Sequence, residues 1–326
     1  MNKKLVVLVT TGIICAALSG CSGSDNSGTS NEVSEPVVVE EQTEQNVDAE
    51  EIEETLIIDF DNKTLSEMKL FIDDNIADAS VEQIDEMVLL YDSELREAGK
   101  SLFELYYSSP RFGLVNATKD DQYVLHIEDI ADATIKEETL ELMDLGYGFE
   151  MLEGDYYLTI DYDKFYKTFG DAISDELNVY YDLMKRESTD PSFVEEYLNI
   201  SVEEIADRAM TLETFIKQHP DFIFRETSVD WLTWYINGLL RVDVFSGSVD
   251  YETGFVSDKL KSVYKSVLAS DVAITKAAVE DMMKVIESCE GIIKMDDQKA
   301  NDAVNAIKND YYGKVKILVD EYYPAE

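Results

Sequence analysis

Trp231, Trp234 and Tyr235 come nearest, by type and spacing, to a binding chemistry. On a helix the three positions share one face, and exposed aromatic platforms of that kind can stack on sugars or small ligands. The same spacing also gives an ordinary core stripe. Large aromatics dominate helix packing, so core is the preferred reading and ligand contact the alternative. Asp59-Phe60-Asp61-Asn62-Lys63-Thr64 begins like a calcium loop. Its sixth position is Thr64 where a glycine is required, and its twelfth is Leu70 where a glutamate should bind the ion, so no calcium is expected there.

Catalytic constellations are hard to assemble from the remaining residues. The chain has two histidines, His126 and His219, and no Glu-x-x-His or His-Glu-x-x-His pattern. It contains neither a Gly-x-Ser-x-Gly elbow nor a Gly-x-Gly-x-x-Gly turn. Gly99-Lys100-Ser101 looks like the end of a phosphate loop, but Glu94 stands where the first glycine belongs and the stretch reads as helix. His126, in Val124-Leu125-His126-Ile127, reads as a partly packed residue, and His219, before Pro220, as a helix-terminal cation. A wall-acting hydrolase would need two carboxylates at catalytic separation, and 69 acidic residues single out no such pair. No catalytic residue, cofactor or metal site is therefore expected, and the chain is not read as an enzyme.

Cys21 is different, because its neighbours carry the signal. Lys3 and Lys4 precede an apolar stretch from Leu5 to Leu18, which is the layout of a cleaved export signal and is too short for a membrane span. The run Leu18-Ser19-Gly20-Cys21 that follows resembles the lipobox of a bacterial lipoprotein. That resemblance implies lipidation of the Cys21 thiol by diacylglycerol, cleavage before it, and a mature protein held on the extracytoplasmic face of the cell membrane. Cys15 would leave with the signal. Cys289 would then stand alone, with no intrachain disulfide available, and its run Val285-Ile286-Glu287-Ser288-Cys289 suggests a packed thiol.

The formal net charge is −42, and excision of Lys3 and Lys4 would take it to about −44. Such a field repels nucleic acid and anionic lipid surfaces, and it favours basic ligands or divalent cations. From Ser22 to Glu54 the chain holds eleven acids, no lysine, no arginine and no aromatic residue. It cannot bury enough apolar surface to fold, so residues 21–54 read as an acidic tether reaching at most about 110 Å.

From residue 55 onward the pattern turns helical, giving one domain over 55–326, or two over 55–150 and 151–326. Five capping boxes mark expected helix starts: Thr64/Glu67, Ser80/Gln83, Thr134/Glu137, Ser192/Glu195 and Ser201/Glu204. Ile84, Val88, Tyr91, Leu95 and Leu102 predict a helix from Val81 toward Tyr107 that Pro110 prevents from continuing. Ile205, Ala209, Leu212 and Ile216 predict another from Val202 to Gln218, stopped at His219-Pro220. A last helix, from about Gln298 to Tyr323, carries Gly313, where a bend or break is expected. Tyr147 to Asp161 alternates about a Glu153-Gly154-Asp155 turn and predicts a β-hairpin, with Asp161 capping the next helix. Tyrosine pairs at 106–107, 156–157, 180–181, 311–312 and 322–323 should each place one ring in the core and one at the rim, where it could serve an interface.

The order of elements after Tyr156 resembles lipoproteins of Gram-positive-type bacteria with tetratricopeptide-like helical pairs. The likeness lies in Tyr156-Tyr157-Leu158-Thr159-Ile160-Asp161-Tyr162, in Ala209-x-x-Leu212-x-x-Phe215-Ile216-x-x-His219-Pro220-Asp221, and in Asp250-Tyr251-Glu252 opening a further helical segment. No fixed period is visible, so the expected fold is mostly α: irregular helical hairpins, solenoid-like or bundle-like, with one short β-hairpin. The expected role is a lipid-anchored interaction module that offers a protein or peptide a groove between helix pairs. A binding lipoprotein for a small ligand, cation or wall glycan is the alternative.

Overall fold

The computed structural model describes residues 56–107, 110–194 and 197–325. The expected export segment, Cys21 and the acidic stretch of 22–54 lie outside the described residues. Eleven α-helices and two small antiparallel strand pairs occur among them: α1 Leu65–Asn75, α2 Val81–Tyr107, α3 Pro110–Asn116, α4 Ala133–Asp144, β1 Tyr147–Leu152, β2 Asp155–Ile160, α5 Tyr162–Phe169, α6 Asp175–Thr189, β3 Phe193–Val194, β4 Tyr197–Leu198, α7 Val202–Gln218, α8 Arg225–Leu239, α9 Asp258–Leu268, α10 Ile274–Ser288 and α11 Gln298–Tyr322. The fold is mostly α with a short β-hairpin, as the sequence pattern predicts.

Local chemistry starts these helices. Thr64 Oγ1 accepts from Glu67 N at 3.2 Å while Glu67 Oε2 accepts from Thr64 N at 2.7 Å, a reciprocal box that opens α1. Ser80 and Gln83 do the same for α2. Ser201 caps α7, but Glu204 turns to Arg208 rather than back to the cap. Two expected boxes fail. Helix α4 is capped two residues earlier by Asp132, whose Oδ1 accepts from Thr134 N and Ile135 N. No helix starts at Ser192, because the preceding α6 supplies Glu187 to bind both its amide and its hydroxyl, and β3 follows.

Pro110 does stand outside α2, and it occupies the first position of α3, where the missing N–H costs nothing. β1 pairs with β2 from Tyr147↔Ile160 to Leu152↔Asp155 around Glu153 and Gly154, both at positive φ as a tight hairpin turn requires. Asp161 then caps α5 through Lys164 N. Asp250-Tyr251-Glu252 does not open a helix. Asp250 Oδ1 binds the amides of Glu252 and Thr253, closing a turn, and α9 begins later behind Ser257.

Neighbouring helices pack in pairs: α1 on α2, α5 on α6, α7 on α8, α9 on α10, and α11 on both α8 and α10. The apolar stripes close the core, with Val88, Leu95, Ile205, Leu212, Val315 and Val319 almost wholly buried. One tyrosine of the pairs 106–107, 311–312 and 322–323 is buried and the other exposed, but Tyr180 and Tyr181 are both buried and Tyr156 and Tyr157 are both half-buried. Helix α11 runs unbroken through Gly313, contrary to the expected bend. A Cβ at Gly313 would meet nothing within 4 Å. Gly313→Ala is therefore expected to raise unfolding stability by about 1 kcal/mol, seen as a higher urea midpoint.

Candidate functional site: a leucine-lined groove

Helix α1 buries one apolar face and carries a leucine on the opposite, polar one. Met68 and Ile72 are buried, whereas Leu70 remains 60% exposed. Ser66, Lys69, Leu70 and Asp73 recur at the spacing of one helix face, and that face borders an open groove of about 830 Å³. The last turns of α2 supply Leu102, Leu105 and Tyr106, α3 supplies Arg111, and α4 with its C-terminal residue supplies Glu138, Leu140, Glu141, Leu142, Asp144 and Leu145. Leu105 and Leu140 are 45% and 47% exposed. Three half-exposed leucines thus line one concavity.

The walls are fixed by polar bonds. Tyr106 Oη lies 2.9 Å from Thr139 Oγ1, and Thr139 donates to Ile135 O, so the phenol is the donor that ties α2 to α4. Burial raises the Tyr106 phenol above its ordinary range and keeps that proton in place. Arg111 Nη2 reaches Glu138 Oε2 at 2.7 Å and joins α3 to α4. Lys69 Nζ reaches Asp73 Oδ2 at 2.6 Å along α1. A groove with leucines and a charged rim can hold an amphipathic segment.

Beyond the groove, at the end of α2, lies an aromatic cluster. Tyr107 stacks on Phe103 at 6.0 Å and on Tyr157 at 5.8 Å, and Phe112 lies 5.4 Å from Tyr157. The void among these rings holds about 10 Å³, room for one water at most, so the rings pack on each other rather than around a ligand.

The residues singled out for binding are dispersed. Tyr235 is fully buried, Trp231 is half-buried with its ring 5.8 Å from that of Tyr235, and Trp234 is 48% exposed, with Phe193 at 5.7 Å. They form no common exposed platform: Tyr235 lies in the core, Trp231 is partly covered and Trp234 is the most exposed of the three. His126 sits 3.3 Å from Asp120, which raises its pKa chiefly through that hydrogen bond. His219 ends α7 against the Phe215 ring. Cys289 is the half-buried C-cap of α10. Asp59 accepts the amide of Asp61, and Thr64 serves as the α1 cap. Among the described residues no cluster of three His, Cys, Asp or Glu side chains could hold a metal ion.

The groove was missed because its leucines lie off the stripes that define each helix's core face. That displacement was the available signal: Leu70 falls between Met68 and Ile72, and Leu105 directly precedes the buried Tyr106. Compared with protein-family models, curated proteins and solved structures, the chain matches none. Among the described residues no helix is long and apolar enough to cross a membrane.

Proposed function

We propose that this chain is a lipid-anchored, extracytoplasmic helical lipoprotein that docks a protein or peptide segment in the groove between α1, α2 and α4. One observation carries the docking reading: Leu70, Leu105 and Leu140 are half-exposed together in a concavity of about 830 Å³. Covering three such side chains would contribute about 1 kcal/mol each, enough for roughly a hundredfold in affinity. Capture from cell-envelope extract should yield a partner at stoichiometric level, and Leu70→Gln/Leu105→Gln should reduce its retention at least tenfold. Equal retention by the variant would count against the groove.

Attachment rests on Cys21 and the apolar run before it. Cys21→Ala is expected to leave unprocessed precursor that no longer incorporates labelled fatty acid. Processing and labelling that persist in the variant would refute the anchor.

A further inference from the structure

We infer that the occupant of the groove is a short amphipathic helix, apolar on one face and cationic on the other. This rests on the docking reading above and adds the chemistry of the partner. Size is the first reason. From Ser66 to Asp73 on α1, and from Glu138 to Leu145 on α4, each wall advances seven residues, about 10.5 Å. Two turns of a helix have that length, so a short helix can lie along both walls at once.

The floor is the second reason. It presents leucine side chains, and neither β1, β2, β3 nor β4 contributes a lining residue. An extended peptide would find no strand edge there and would leave its backbone groups unpaired, whereas a helix satisfies them internally.

Charge is the third. Lys69 is engaged by Asp73, and Arg111 by Glu138. Glu141 and Asp144 are exposed on the same rim, and neither has an ion-pair partner among the described residues. A cationic face would complete both, inside the field of a chain carrying −42. An anionic helix or an anionic lipid surface would meet the same field as repulsion.

Two helix-stapled, fluorescein-labelled peptides with one leucine pattern test this, one carrying lysines on its polar face and the other glutamates. Binding to the full chain is read by fluorescence anisotropy at low and high salt. The lysine peptide should bind at least about tenfold tighter than the glutamate peptide, and the gap should narrow at high salt. Glu141→Lys/Asp144→Lys should erase the preference, and Leu70→Gln/Leu105→Gln should abolish binding of the lysine peptide, with thermal melts confirming that both variants fold. If the two peptides bind equally and the leucine variant loses both, the charge inference is overturned while the docking reading stands. If the lysine peptide binds the leucine variant as tightly as the wild type, it is adhering to the acidic surface, and both readings are overturned. Failure of both peptides to bind overturns the cationic-helix inference, and envelope capture then decides the docking reading by itself.

Discussion

Glu213→Ala is expected to cost about 3–5 kcal/mol of unfolding stability. Glu213 projects from α7 and is fully buried. Its Oε1 accepts from Ile274 N at 2.7 Å and Tyr323 Oη at 2.8 Å, and its Oε2 accepts from Thr275 N at 2.8 Å and Thr275 Oγ1 at 2.6 Å. These bonds cap the first turn of α10, whose own N-cap Ala273 has no side chain able to do so. A carboxylate at that position also faces the positive end of the helix dipole. Alanine would strand two amides and two hydroxyls away from water and leave a cavity. Glu213→Gln should cost less, since one oxygen still accepts. Tyr323→Phe, which removes the donor to Glu213 and the acceptor of the Ala273 amide, should cost about 1–2 kcal/mol. Urea denaturation gives the ranking, and a loss below about 1 kcal/mol for the alanine variant would show that water replaces the carboxylate.

A comparable loss, about 3–5 kcal/mol, is expected for Asp92→Ala. Asp92 is buried in α2. It accepts from Arg96 Nε and Nη2 at 3.1 and 3.2 Å, from Tyr162 Oη at 2.9 Å, and from Tyr181 Oη at 3.0 Å. Arg96 also donates to Tyr180 Oη and lies 4.2 Å from the centre of the Phe224 ring. One carboxylate thus gathers α2, α5 and α6, and through Arg96 it reaches Phe224, the N-cap of α8. Burial first, and the Asp92 charge second, push the Tyr162 and Tyr181 phenols well above their ordinary range, so both remain protonated donors. Removing the acceptor leaves two buried hydroxyls and a cation without their partner, which is why the expected cost far exceeds that of Tyr162→Phe, about 1 kcal/mol. If Asp92→Ala and Tyr162→Phe shift the urea midpoint equally, the cluster is not held by the carboxylate.

Both carboxylates lie on faces that the sequence reading treated as apolar, because a buried acid among 69 acids looks like any other until its donors are seen. Helix limits were more legible. The spans 81–107 and 202–218 follow from apolar recurrence together with Ser80/Gln83 and Ser201 as starts. Reading failed where a distant group competed for a local one: Ser192 looks like a cap, but Glu187 binds its hydroxyl. Gly313 predicts a bend in α11, yet neighbouring residues Tyr311 and Val315 are buried in the core and hold the helix straight through it.

The sequence by itself determined helices α2, α7 and α11, the caps Thr64, Ser80 and Ser201, the Glu153-Gly154 hairpin and the acidic character, since each depends on residues close in the chain or on composition alone. Only the tertiary structure decided that Leu70, Leu105 and Leu140 line one groove while Tyr235 goes to the core and Trp234 to the surface, and that Glu213 caps a helix 61 residues further along the chain. Those outcomes depend on how helices pack, and packing turns on the fit of whole faces, which no local spacing records.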